Sequence, residues 1–532
     1  MTTPKEEWVA STLAELNALP GDDGDKLYET SGALLQTFHQ ALQTSTQSML
    51  PSYTTSLPKA STTGTAVALD LGGSTLRVAV IELLSHTEVQ GNDTGVLPEL
   101  RKVLVRNSWS VGDEIKNLRA RDFFDWIAGC MRETVAEAGL GLGQGKSVGV
   151  TWSFPVTQTS PATGRVNQMG KGYVQWEEIA GTDLQSHFEA AFARLGLQLY
   201  MNALVNDTEA TLLSHAFANP STSISLILGT GLNVALRLPI SAFAIQKFGR
   251  RPKEWFERAA AVLVNTEISM FGAGVFPTTE ADMALDAGST APGFQPLEQM
   301  TSGRYLGEIV RLTLERGVKA GFLFDGVMPI GMRVRFGFDT GNMAVLESGS
   351  VDDGIHLIWK AFYCQHAPSR EDVKIIQSIC CAVSERAAIY IGVTLFTVWR
   401  LQRDKMIADA RTSEMFYKKS GSVAIAYCGT VVEKHPSLRR RSQQILDLLV
   451  DYESRRGQDQ QRVLVLEEAG DSGLLGAGVA SVMNAVDDEH IMRIDWKFKR
   501  LSIDASVDGS TTTTPPATFS SPVSIATEAP LV

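Results

Sequence analysis

Cysteine is scarce in this chain: five occur among 532 residues, at Cys130, Cys364, Cys380, Cys381 and Cys428. The number is odd and no pair has C-x-x-C spacing, which excludes a disulfide-built scaffold, offers no zinc template and fits a reducing compartment. The eight histidines are scattered, so no resident metal site is expected. No stretch of about 18 uninterrupted apolar residues occurs, so no spanning helix is expected. The N-terminus, MTTPKEEWVASTLAEL, carries acids early and lacks the apolar run of a signal peptide. Positive charge is in deficit, with 48 Lys and Arg against 59 Asp and Glu and a net charge of -11, which argues against general nucleic-acid binding. Two basic clusters, Lys247 to Lys253 and Arg439-Arg440-Arg441, read as solvated faces. The expected location is the cytoplasm, with the nucleus or a mitochondrial surface as the alternative that those clusters leave open.

What is present is a repeat. VALDLGGSTLRVAV (67–80) and SLILGTGLNVALRL (225–238) each read as an apolar strand, a tight turn of Gly with Ser or Thr, and a second apolar strand. Glycine lets the backbone approach a ligand closely. Gly72-Gly73-Ser74-Thr75 and Gly229-Thr230-Gly231 would offer N–H and hydroxyl donors that suit a phosphate. Either copy alone reads as an ordinary hairpin. Two copies at domain-scale separation suggest a duplicated unit able to clamp one nucleotide.

The composition, 44% hydrophobic and 20% charged, is that of a globular chain with material for two cores. Helical spacing over 5–50 and a Pro/Ser/Thr connector over 49–64 make residues 1–60 a helical segment packing on a large domain. Residues 61–207 alternate strands (65–71, 76–83, 101–106, 147–154) with helices (121–138, 183–195) and form a small α/β domain. Residues 208–460 form the large α/β domain, with helix-rich stretches at 253–320 and 370–405 and short strands near 332–338 and 421–427. A strand, Gly-rich turn and helix over 461–492 return to the small domain. Residues 493–532 form a Ser/Thr/Pro-rich tail that reads as disordered.

Two apparent nucleotide loops fail on spacing. GLGLGQGKS (139–147) has its first Gly one place early and the wrong order of flanking elements, and GRVNQMGKG (164–172) has Gly172 where Ser or Thr is needed. Neither glycine turn has G-x-G-x-x-G, so a Rossmann site has no support. Asp207 follows Asn206 at the C-terminal end of a strand, the usual place for ligand chemistry in an open α/β sheet. It reads either as a helix cap or as one of a set with Lys171, Asn206, Asn233, Glu267 and Glu298, side chains of the kind that bind a polyhydroxyl ligand.

Several motifs together resemble the hexokinase family of the actin-like, two-lobed ATPase and sugar kinase superfamily, along nearly the whole chain to about residue 490. LDLGGSTLRV and LGTGLN resemble its two phosphate loops, WSFPVTQ (152–158) and NQMGKGY (167–173) its sugar motifs, and VNDTEATL (205–212) its catalytic-base motif. NTE (265–267) and the long PLEQMTSGRYLGE (296–308) resemble its remaining sugar contacts. The resemblance implies a ribonuclease H-like fold with a duplicated α/β core and a cleft between a small and a large domain. It also implies transfer of the γ-phosphoryl group of Mg-ATP to the 6-hydroxyl of glucose, mannose or fructose. Asp207 would be the base and Lys171 a fixed cation, with Thr157, Asn206, Asn233, Glu267 and Glu298 on the sugar. ATP would be held by Asp70, Gly72, Gly73, Ser74, Thr75, Arg77, Gly229, Thr230, Gly231, Gly429, Thr430, Gly470 and Ser472.

The chain departs from the family pattern at Thr157 (usually Ser), Gly170 (Thr), Ser74-Thr75 (Thr-Asn), Val234 (Gly) and Cys428-Gly429-Thr430 (Asp-Gly-Ser). The two methyls of Val234 are expected to hinder approach of phosphate to the backbone. The drift also resembles atypical fungal hexokinase-like proteins, which implies as alternative a catalytically weak sugar-binding regulator of carbon-starvation responses.

Overall fold

Both glycine-broken pairs are antiparallel hairpins, and each is the centre of its own sheet. A computed structural model describes residues 2–84, 101–140, 145–167, 169–170, 172–364, 366–414, 421–457 and 462–485. In chain order the strands are β1 (Leu50–Pro51), β2 (Gly64–Leu71), β3 (Thr75–Leu83), β4 (Arg101–Ser110), β5 (Lys146–Trp152), β6 (Val156–Gln158), β7 (Gly164–Val166), β8 (Leu199–Val205), β9 (Thr222–Leu228), β10 (Leu232–Pro239), β11 (Ala261–Asn265), β12 (Ser422–Cys428) and β13 (Val463–Glu468). One sheet has the order β4-β3-β2-β5-β8 and the other β1-β11-β10-β9-β12-β13. Apart from the added β1 the two are the same: three antiparallel strands followed by two parallel ones. The repeat in the sequence is therefore a repeat of whole sheets.

Strand alternation divides the small sheet's residues between two cores. Val67, Leu69, Leu76, Val78 and Val80 face helices Ala120–Glu137 and Leu184–Arg194, where Phe123, Phe124, Phe188 and Phe192 fill the space. The other face presents the smaller Ala66, Ala68 and Ala79 to helices Asp207–Ala218 and Ser472–Ala485. Ala235 and Leu263 of the second sheet belong to this same core, so both helices lie between the sheets. Their crossing depends on Gly476, where a Cβ would lie 2.0 Å from Ala210 O.

The remaining core surrounds the second sheet and takes in the N-terminal helices, with Leu16, Leu27, Leu34, Phe38 and Leu42 buried. Thr3 and Glu6 form a capping box on the first of them, Pro4–Leu16, and Asp23 caps the second, Gly24–Thr44. Helix Arg370–Ala408 is apolar and long enough to cross a membrane, yet its most apolar stretch is largely buried in this core. Two of its buried arginines are paired with acids. Arg386 meets Asp282 at 2.6 and 2.9 Å, and Arg403 meets Glu453 at 3.0 Å.

The strand expected near 332–338 is absent. Ile330–Met332 is a single 3-10 turn and Phe336 has φ 60°, a backbone a strand cannot accommodate. The alternation of RVRFGF mimics a strand, but it arises from Val334 standing exposed while Phe338 stacks on Phe362 in the core.

Candidate active site

β8 runs out at Val205 and the next helix begins at Asp207. The cap is Asn206, with extended backbone (φ -77°, ψ 158°), whose Oδ1 accepts from Thr208 N at 2.9 Å. Capping by Asp207, one of the two readings open in the sequence, is thereby replaced. Asp207 is the first helical residue, half-buried, with Oδ1 also accepting from Thr208 N at 2.8 Å, and the helix N-terminus favours its negative charge. Asn206 spends its carbonyl oxygen on the Thr208 N–H and hydroxyl, which leaves its amide group for other partners.

Three acids from three elements converge on this point. Glu267 follows β11 in a left-handed conformation, φ 48°, a strained state for a non-glycine residue that marks functional positions. Burial raises its pKa above the ordinary carboxylate value, and the charges of Asp207 and Glu298 push it further in the same direction. A chain of amides orients it: Asn233 Nδ2 donates to Asn265 Oδ1, and Asn265 Nδ2 donates to Glu267 Oε1, both at 2.8 Å. Glu298 Oε2 accepts from Leu232 N at 2.9 Å, so one sugar-motif acid is tied to the second glycine turn. Asn265, the middle link between Asn233 and Glu267, lies within the NTE motif, and nothing local in the sequence signals that position.

The first turn is closed by Gly72 N donating to Thr75 O at 3.0 Å and held by Tyr173 Oη donating to Gly72 O at 2.8 Å. Gly73 and Ser74 form its bend, and Val111 N donates to Ser74 O at 2.8 Å. Asp70 at its base is paired with Arg77 at 3.0 Å. The second turn is closed by Gly229 N to Gly231 O at 3.0 Å, and Ser302 Oγ donates to Thr230 O at 2.9 Å. Gly429 has φ 126°, a conformation that requires glycine here, and turns the chain so that Thr430 starts a short helix beside Thr230.

Thr230 and Thr430 line a cavity of about 500 Å³ with Arg304, Phe336, Thr340 and Lys434. Two cations, three hydroxyls and an aromatic wall suit a nucleoside polyphosphate. Arg304 lies within PLEQMTSGRYLGE (296–308), whereas Phe336, Thr340 and Lys434 come from segments with no local signal.

Other expectations are redistributed. Val234 points away from the site: it is fully buried with Leu232 and Leu236 in the core behind the sheet, while Asn233 and Ala235 face the other way. Its methyls therefore cannot obstruct a phosphate. Ser472 is 2% exposed and accepts from Thr211 Oγ1 at 2.9 Å. It pins the last glycine turn to the Asp207 helix and leaves the exposed Gly470 and Asp471 at the edge. Thr157 is exposed and exchanges hydrogen bonds with Asn167 across the β6–β7 hairpin, which Gln158 Nε2 anchors to Leu204 O at 2.8 Å. Lys171 lies outside the described residues.

Two family models, both described as hexokinase, match residues 20–217 and 223–483. Hexokinase-5 of Oryza sativa subsp. japonica is 31% identical over 457 residues, covering 84% of this chain and 83% of the relative. The chain belongs to the hexokinase family.

Other family relatives agree in extent. Hexokinase-1 of Spinacia oleracea is 29% identical over 492 residues, covering 90% of this chain and 91% of its own, and N-acetylglucosamine kinase 1 of Candida albicans is 27% identical over 458 residues, covering 81% and 85%. A hexokinase from Schistosoma mansoni complexed with glucose superposes with a TM-score of 0.71 at 23% identity, covering 90% of this chain and 100% of that one, which establishes the actin-like two-lobed hexokinase fold. The narrower resemblance to atypical fungal proteins gains no support from plant relatives of this kind.

Proposed function

We propose that this protein is an ATP-dependent hexose kinase that phosphorylates the 6-hydroxyl of glucose or a related hexose. The observation that carries the reading is the convergence of Asp207, Glu267 and Glu298 beside the second glycine turn, whose Thr230 also lines the cation-bearing cavity. That turn joins a sugar site to a nucleotide site through Thr230 and Leu232, two residues apart.

The donor set fits Mg-ATP: Thr230 and Thr430 offer hydroxyls, Arg304 and Lys434 offer charge, and Asp70 and Arg77 flank the first turn. Bound there, Mg-ATP supplies an electrophilic phosphoryl group whose charge the ion partly neutralises. Asp207 takes the proton from the attacking hydroxyl. Glu267, Glu298 and the Asn233–Asn265 pair fix the other sugar hydroxyls, since carboxylates accept and amides both donate and accept. Positioning is the main contribution expected of such a site.

The alternative of a sugar-binding regulator rested in part on Val234, and its buried orientation removes that support. The deciding experiment is a coupled assay with Mg-ATP and glucose, mannose or fructose, beside calorimetric titration of each sugar. Turnover lost by about 10² to 10⁴-fold in Asp207→Ala, with sugar binding retained, supports the kinase; equal rates in mutant and parent refute the assignment of the base.

A further inference from the structure

The stretch PLEQMTSGRYLGE ends in a carboxylate that the reaction above leaves without a task. Glu308 is 1% exposed and forms a two-pronged pair with Arg311, whose Nε and Nη2 donate to Oε2 and Oε1, each at 2.8 Å. Glu308 Oε2 also accepts from the backbone N–H of Phe336 at 2.6 Å, and Arg311 Nη1 donates to Met332 O at 3.3 Å. The pair therefore grips the segment 332–336 at both ends. Phe336 needs that grip, because its φ of 60° is a left-handed state that non-glycine residues seldom hold. A strained backbone fixed by a buried ion pair directs attention to the side chain it presents.

That side chain is half-buried and forms the aromatic wall of the cavity. Two guanidinium groups lie over its ring, with the Arg335 Cζ 4.9 Å and the Arg304 Cζ 4.8 Å from the centroid. Arg335 is engaged elsewhere, donating to the carbonyls of Gly288 and Leu285. Arg304 is exposed and lines the cavity. Its neighbour Gly303 is pinned to the second glycine turn: Gly303 N donates to Gly229 O and Thr340 Oγ1 donates to Gly303 O, both at 2.8 Å. The Arg304 main chain is thus fixed beside Thr230, and its long side chain rests on the Phe336 ring. A guanidinium stacked on a ring keeps its in-plane N–H donors for an anion, and it loses part of its rotamer freedom before the anion arrives. Arg304 and Glu308 belong to one stretch of chain and hold Phe336 by its ring and by its backbone, so ring and guanidinium keep a fixed relation.

We propose that Phe336 is a positioning residue that acts through Arg304: on the segment held by Glu308, its ring is the shelf that keeps the Arg304 guanidinium directed at the polyphosphate of a bound nucleotide. The inference rests on the reading of this cavity as the nucleotide site. It assigns the ring to the cation that meets the phosphates and not to the base.

The test is a double-mutant cycle on the full chain, with Phe336→Leu, Arg304→Ala and the two combined. The readouts are the KM for Mg-ATP at saturating glucose and the calorimetric Kd for Mg-ATP and for magnesium tripolyphosphate, which has no base. Phe336→Leu is expected to raise the KM and both Kd values by a common factor, about two- to fivefold, with kcat changed less than about twofold. In the Arg304→Ala background the same substitution changes them less than about 1.5-fold, because the group through which the ring acts is gone. Phe336→Tyr retains the ring and keeps the parent values. Phe336→Met repeats the loss of the ring and serves if the leucine variant does not fold. Equal effects of Phe336→Leu in both backgrounds overturn the inference, as does weaker ATP binding with tripolyphosphate binding unchanged, which would give the ring to the base. A parent protein that binds neither probe overturns the nucleotide reading of the cavity and, with it, this role for Phe336.

Discussion

Gly231→Ala is the substitution whose consequence follows most directly from the geometry. A Cβ at this position would lie 2.7 Å from Glu298 Oε2 and 3.4 Å from its carboxyl carbon. The backbone here is not left-handed, so alanine brings no conformational strain of its own. What must yield is the far end of one flexible side chain, and the fold should survive. The carboxylate has to retreat by roughly 0.7 Å to reach ordinary van der Waals separation, and its bond to Leu232 N, 2.9 Å long, then passes the limit of a useful hydrogen bond. Losing a hydrogen bond to a charged group costs about 1.5 to 3 kcal/mol. If Glu298 is held in that geometry to bind hexose, the dissociation constant rises by a factor on the order of 10 to 100. Calorimetric titration of glucose into parent and variant measures this directly, with circular dichroism and the melting temperature as controls for the fold. An unchanged glucose affinity in a variant that melts with the parent refutes the argument that Glu298 must occupy this position to hold the sugar.

Val234→Gly restores the glycine usual at that position of the family pattern, yet it empties a fully buried site in the large core. It should cost about 2 to 4 kcal/mol of stability in urea unfolding and leave the KM for ATP unchanged; a lower KM for ATP would mean that the valine does face the phosphates. Asp282→Ala strands Arg386, which is 2% exposed and bonded to both carboxylate oxygens, and should cost about 3 to 5 kcal/mol; a loss under 1 kcal/mol in the same measurement would contradict the burial of that pair. Glu209 is 3% exposed, and burial pushes its carboxyl up to about 7, above the ordinary 4.5. Its contribution is fully present below pH 4.5 and is lost as pH rises through 7, on the order of 3 kcal/mol for a fully buried group. Glu209→Gln should remove that slope, and an equal slope in both proteins would place the titration elsewhere.

Features written in consecutive residues were legible without a fold. The two Gly-broken hairpins and Asp207 at a strand's end are local signals, because a turn needs glycine and a ligand site needs the C-terminal edge of a sheet. Their duplication was enough to imply two like domains. Which way a side chain faces was not local. Alternation assigns Asn233 and Val234 to opposite faces, but only the packing of the second sheet shows that the face carrying Val234 is the core and the face carrying Asn233 looks toward Asp207. RVRFGF alternates as a strand does, and among the described residues no strand pairs with it. Ser472 lay between two glycines, yet the helix crossing at Gly476 buries it against Thr211. The cavity joins Thr230, Arg304, Phe336, Thr340, Thr430 and Lys434 from distant stretches of chain, and Glu209 owes its burial to packing that brings Arg251 near it. The sequence by itself determined the fold family, the turns and the chemical types at the site. Tertiary structure alone decided their partners, because burial and Coulomb interaction depend on distances through space that chain separation does not encode.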